Sequence, residues 1–77
     1  LSVGFGNVVV RRRVVSVARA DSAAARRLKS SAESEKRLLD LTGGRKIRSL
    51  IVLDTGHVAL SSLGTETIAA RLGGEDL

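Results

Sequence analysis

Arginine and lysine side chains offer the clearest chemistry in this 77-residue sequence, and two groups of them lie beside turns. Residues 11–13 are three consecutive arginines, and residues 45–48 place two arginines and a lysine directly after a glycine pair. Guanidinium groups bind phosphate oxygens through paired hydrogen bonds and can read guanine edges. The candidate phosphate-binding residues are Arg11, Arg12, Arg13, Arg45, Lys46 and Arg48.

The charge distribution points to a polyanionic partner. The formal net charge of the chain is +5, and twelve of its thirteen lysines and arginines lie between Arg11 and Arg48. That span holds four acids and has a net charge of +8, whereas the remainder has a net charge of −3. DNA, RNA and an anionic membrane all fit such asymmetry. The alternative is that the cations only keep the protein in solution and that each basic turn is simply solvated.

Two other motifs have weaker chemical interpretations. Asp54-Thr55-Gly56 matches the triplet of aspartic proteases, which need two carboxylates that share a proton, and a single triplet would require a dimer. We favour a turn between two strands, because Asp and Gly tolerate turn backbones. His57 is the only histidine, and we assign it no catalytic role.

The segment Gly4 to Asn7 could cradle a phosphate with its N–H groups, but it lacks the rest of a dinucleotide fingerprint. A strand bend where glycine permits an unusual backbone is the simpler interpretation. Phe5 is the only aromatic residue, whereas single-strand binders usually offer several stacking rings.

Composition limits how the fold is stabilised. A domain of this length buries only about 60–65% of the surface of its unfolded chain. The sequence has no cysteine and one histidine, so we expect neither a disulfide nor a zinc site. Association with further copies is the remaining common source of buried surface. No apolar run approaches the ~18 residues that span a bilayer, and nothing at the start reads as a signal peptide, so we expect a cytoplasmic protein without a membrane partner.

The predicted order of elements is strands, helix, strands, helix. Residues 1–10 read as extended with interruptions at Gly4 and Gly6, and the valine runs 8–10 and 14–17 suit buried strands. Asp21 or Ser22 is a good N-cap for a helix that ends near Glu35. Its buried stripe is narrow: Ala25, Leu28 and Ala32.

The second half predicts a short strand over 37–41, a turn at 42–44 and a strong strand over 47–53. Residues 54–56 read as a hairpin turn and 57–61 as the return strand. A final helix over 65–72 would be ended by Gly73-Gly74. We therefore predict one α+β domain over 1–77, with a small antiparallel sheet or partial barrel and two helices.

Five segments, in this order along the chain, resemble the RemA family of small bacterial regulators of extracellular matrix genes. The resemblance covers residues 3–72, nearly the whole chain, and the segments are Gly4 to Asn7, Arg13 to Val17, Gly44 to Arg48, Val52 to Ser61 and Glu66 to Leu72.

The resemblance implies a LytTR-like fold and a ring-like homo-oligomer around which duplex DNA bends or wraps. The DNA-contacting residues of the family would be Arg13, Arg45 and Lys46 here. Lys46 departs from the Arg-Arg pattern of the family and loses the planar fork of arginine. Arg11 and Arg12 are additional to the pattern.

We accordingly predict a transcriptional regulator of biofilm matrix genes that binds double-stranded DNA, uses no cofactor or metal and is not an enzyme. An RNA-binding module and a non-catalytic assembly protein are the alternatives. A dimeric aspartic protease that uses residues 54–56 is a remote third.

Overall fold

A computed structural model describes residues 1–74, which form six strands and two α-helices. A hairpin of β1 (Ser2–Gly4) and β2 (Asn7–Val8) opens the chain, and a 3₁₀ turn spans Arg11–Arg13. The remaining elements are β3 (Val14–Arg19), α1 (Ala23–Ser34), β4 (Leu38–Asp40), β5 (Ser49–Leu53), β6 (Val58–Ser61) and α2 (Thr65–Gly74). The α+β class is confirmed.

The main sheet has the strand order β3-β5-β6-β4. β5 pairs antiparallel with both β3 and β6, whereas β4 pairs parallel with β6. The sheet is therefore mixed, and the prediction of an antiparallel sheet was wrong in this respect. The physical reason is the crossover: α1 returns the chain so that β4 runs in the direction of β3, and the β5–β6 hairpin lies between them. Residues 1–74 do not form a closed barrel.

The two central strands are buried on both faces. Along β5, Leu50 belongs to one apolar cluster and Ile51 to the other, and successive residues of β6 alternate in the same way. One cluster lies under α1 and contains Ala25, Ala32 and Val58. The other packs against the N-terminal hairpin and α2. This three-layer arrangement explains why the sequence of β5 is apolar on both faces.

Helix α1 begins where the sequence indicates. The Ser22 side chain accepts a hydrogen bond from the Ala25 N–H at 3.0 Å, which confirms the predicted N-cap. Ala25 and Ala32 are buried, and Leu28 packs against their cluster from a half-buried position. The small side chains let the helix lie close to the sheet.

Some predicted boundaries were wrong. Helix α2 continues to Gly74, so Gly73-Gly74 does not end it at 72. Glycine costs a helix about 1 kcal/mol per residue relative to alanine, which weakens the last turn without forbidding it. The valine run 8–10 is strand only at its first residue, and Val8 and Val10 are exposed rather than buried.

Two buried serines, paired across β5 and β6, tie the layers together. The Ser61 hydroxyl donates to the Val3 carbonyl at 2.8 Å and accepts from the Leu63 N–H at 3.1 Å. The Ser49 hydroxyl donates to the Leu63 carbonyl at 2.8 Å. The N-terminal hairpin is therefore attached to β6 by a hydrogen bond that spans 58 positions of the chain.

We predict that Ser61→Ala lowers the free energy of unfolding by about 1–3 kcal/mol, because it leaves a buried carbonyl and a backbone N–H without their partner. Urea unfolding followed by circular dichroism measures the change. Ser30→Ala on the exposed face of α1 is the matched control, with an expected change within about 0.5 kcal/mol. Equal stability of the Ser61→Ala variant and the parent would show that this hydroxyl does not hold the hairpin.

Candidate nucleic-acid interface

The two predicted basic loops lie at opposite ends of the β3–β5 pair. Residues 11–13 directly precede Val14, which is opposite Leu53 at the end of β5. Residues 45–48 directly precede Ser49, which is opposite Arg19 at the other end of β3. A strand of this length spans roughly 15–20 Å at about 3.3 Å per residue. The structure therefore does not bring the two loops together within one chain.

At the first end, Arg13 is held beside the β5–β6 turn. The Asp54 N–H donates to the Arg13 carbonyl at 2.8 Å, and the guanidinium lies 3.3 Å from the Asp54 carboxylate. Both side chains are largely solvated, so the ion pair contributes at most about 1 kcal/mol. Arg12 is exposed beside Arg13, whereas Arg11 is partly buried in the same 3₁₀ turn.

Residues 54–56 form the hairpin turn that the sequence predicts. The Leu53 N–H donates to the His57 carbonyl at 2.9 Å, and the Gly56 N–H donates to the Leu53 carbonyl at 3.0 Å. Gly56 has φ +89°, a value that glycine adopts readily. Within residues 1–74 the Asp54 carboxylate pairs with a guanidinium, so one chain does not present the carboxylate dyad of an aspartic protease. Among the same residues, no three His, Asp or Glu side chains come together to hold a metal ion.

At the second end, the loop before β5 is fixed at its base. The Asp40 carboxylate accepts from the Thr42 N–H at 3.0 Å and from the Thr42 hydroxyl at 2.7 Å. The Arg45 N–H then donates to the Thr42 carbonyl at 3.2 Å and closes the turn. The two glycines between them have φ +63° and +83°, as such a tight reversal requires. Arg45, Lys46 and Arg48 follow this turn and are exposed.

The surroundings of this loop include an aromatic ring that sequence reasoning did not assign to it. The Arg45 guanidinium carbon lies 4.5 Å from the centroid of the Phe5 ring, within cation–π range. Phe5 is at the tip of the β1–β2 hairpin, 40 positions away in sequence. The only signal in the sequence was that the single aromatic residue lies in a glycine-rich turn. This signal does not indicate which residue the ring would contact.

An open cleft of about 440 Å³ lies beside Lys46 and Arg48, between the end of β3 and the start of α2. Arg19 also lines it, but the Arg19 guanidinium is 2.7 Å from Asp21, and Glu66 faces the cleft from α2. The Arg48 backbone is fixed on both sides, since its N–H donates to Ser61 and its carbonyl accepts from Ala20. The second basic loop therefore has a rigid backbone and solvated side chains.

Hydrogen bonds from the Thr42 hydroxyl and then from the Thr42 backbone N–H lower the pKa of the Asp40 carboxyl. Desolvation of the carboxylate opposes this shift, and the positive charge of Lys29 makes the smallest contribution to lowering the pKa. The folded state therefore favours the charged form of Asp40. The contribution of this carboxylate to folding stability is complete above the ordinary pKa of 3.8 and is lost as the pH falls through the lowered pKa.

We predict that Asp40→Asn lowers the urea midpoint of unfolding at pH 6 and that its difference from the parent shrinks below pH 4. The amide cannot carry the charge that the two Thr42 donors stabilise. Midpoints measured at several pH values test this. A difference that stays constant down to pH 3 would contradict the assigned role of the carboxylate.

Known proteins match nearly the whole length of this chain. The family model described as extracellular matrix regulatory protein A-like matches residues 1–72. A regulatory protein of Dictyoglomus turgidum is 49% identical over 76 residues, which cover 99% of this chain and 89% of that protein. One from Oleidesulfovibrio alaskensis is 54% identical over 71 residues, covering 92% and 84%. No helix in residues 1–74 is long and apolar enough to cross a membrane. The chain belongs to the RemA-like family, whose relatives here are named as regulatory proteins.

Proposed function

We propose that this protein is a regulator that binds double-stranded DNA through arginine and lysine contacts to phosphates. The observation that carries the proposal is the loop that contains Arg45, Lys46 and Arg48. Its backbone is fixed, its side chains are exposed, and none of the ion pairs within residues 1–74 includes them. Cations held in this way can donate hydrogen bonds to phosphate oxygens without first giving up an acidic partner.

The contacts would act mainly on the DNA backbone. Arg45 and Lys46 would bind phosphates, and Arg48 would strengthen the local positive potential. Lys46 supplies charge without the planar fork that reads guanine, which favours backbone contacts over base readout. Sequence preference would then come from the shape and bendability of the DNA.

Assembly would complete the DNA-binding surface. Arg13 and the loop 45–48 occupy opposite ends of the sheet, so only neighbouring copies can place them side by side. In a head-to-tail ring, the Arg13 end of one subunit would meet the Arg45 end of the next. Linked sites of modest strength then add to a high apparent affinity. Arg11 and Arg12 would reinforce the Arg13 end.

Self-association is also supported by four valine and leucine side chains that the single chain leaves in solvent: Val8, Val10, Val15 and Leu39. We further propose a LytTR-like domain over 1–77, a cytoplasmic location where promoters are accessible, and matrix-gene control of the kind named in the family description.

An RNA-binding module would use the same cations, and competition between RNA and duplex DNA separates the two functions.

We predict a steep fall of duplex-DNA affinity with salt, measured by fluorescence anisotropy on labelled DNA. Arg45→Ala, Lys46→Ala and Arg13→Ala should each weaken binding and reduce the slope of log K against log salt by about 0.9 or less per subunit contact. Each variant removes one cation that releases a counterion from the DNA.

Arg27→Ala on the exposed face of α1 is the matched control, because it removes the same charge from a residue that belongs to neither loop. Binding by all three loop variants that equals the parent would place the DNA surface elsewhere. Displacement of the duplex by RNA at lower concentration than by competing duplex would favour the RNA-binding alternative.

A further inference from the structure

The residue at the tip of the N-terminal hairpin does not suit its backbone. Phe5 and Gly6 are the two central residues, with φ +55° and +74°, the positive values that type I′ hairpins require. Asn, Asp and Gly adopt this conformation readily, whereas a bulky side chain is strained there. Such strain points to a further contact of Phe5, because the turn alone would favour a different residue.

Burial does not account for Phe5. Its side chain is 51% exposed, and it belongs to neither apolar cluster of the core. The ring instead lies against the loop before β5. A Cβ on Gly43 would be only 3.1–3.3 Å from three ring atoms, so the loop approaches the ring as closely as glycine permits. The centroid of the ring also lies 4.5 Å from the Arg45 guanidinium carbon.

The hairpin and the basic loop are also joined by a hydrogen bond from Asn7. The Asn7 amide donates to the Gly4 carbonyl at 3.2 Å and to the Leu41 carbonyl at 3.3 Å. Leu41 lies directly before the turn that ends at Arg45. The hairpin tip therefore keeps a fixed position relative to that turn, and the ring keeps a fixed position relative to Arg45.

From these contacts we infer that Phe5 is a positioning residue: its ring holds the Arg45 guanidinium in place for a DNA phosphate. The inference rests on the proposed DNA-binding function. An aromatic face attracts a cation without accepting its N–H groups in conventional hydrogen bonds, so the donors of Arg45 stay available to phosphate. Arg13 differs, because the Asp54 carboxylate that holds it also competes with phosphate for its donors.

A double-mutant cycle on the 77-residue chain tests this. Phe5→Leu should weaken binding of a labelled duplex about twofold to fivefold per contacting subunit, with more loss where several subunits share one duplex. In the Arg45→Ala background, the same substitution should change affinity by less than about 1.5-fold, because the group that the ring positions is gone. In the Arg27→Ala background, the full loss should remain.

Two further variants separate the ring from the fold. Phe5→Tyr keeps an aromatic face and should bind like the parent. Phe5→Asn suits the turn backbone, so it should unfold at no lower temperature than Phe5→Leu and still show the loss of affinity. This variant also keeps the test decisive if Phe5→Leu fails to fold.

The inference is overturned if Phe5→Leu and Phe5→Asn bind like the parent, if their loss is equally large in the Arg45→Ala background, or if Phe5→Tyr loses as much affinity as Phe5→Leu. In all three cases the parent still binds DNA, so the proposed function stands. If the parent binds no duplex at low salt, the proposed function fails first, and the inference fails with it.

Discussion

The antiparallel pairing of β3 with β5 determines where the basic residues can act. Each candidate loop directly precedes its strand, and strands that run in opposite directions begin at opposite ends of the sheet. The pairing itself is enforced by β5, whose residues enter apolar clusters on both faces. A shift of one residue would move every side chain of β5 to the wrong face. The two loops therefore cannot come closer together within one chain without disrupting the core.

The two basic loops hold Arg13 and Arg45 in place through different contacts. Arg13 is the last residue of a 3₁₀ turn and lies beside a carboxylate, whereas Arg45 follows a glycine pair and lies over an aromatic ring. Both arrangements limit the motion of a long side chain that would otherwise lose much rotational freedom on binding. Only the ring leaves the charge uncompensated. The end of the sheet that carries Arg45 is therefore the stronger candidate for contact with a polyanion. In the proposed assembly, the Arg13 end would depend more on a neighbouring subunit.

The sequence was most informative where local chemistry decides the structure. The Ser22 cap, the turns at 42–44 and 54–56 and the apolar strand around Leu50 and Ile51 follow from short-range rules, and the structure confirms them. The direction of β4 depends on which strand it pairs with, and periodicity carries no information about that choice. The cation–π contact of Phe5 was also out of reach, because it depends on two turns that only the fold brings together. The positions of the candidate arginines on loops were predicted, but their placement at opposite ends was not.

Sedimentation velocity of a fluorescent duplex with the chain, detected at the fluorophore over a dilution series at fixed salt, tests the central claim that DNA binding needs several copies. The account predicts that the duplex appears only in complexes that contain multiple subunits, and that it is released as dilution dissociates them. A single chain that binds the duplex one-to-one, with an affinity that dilution of the protein assembly does not change, would contradict it.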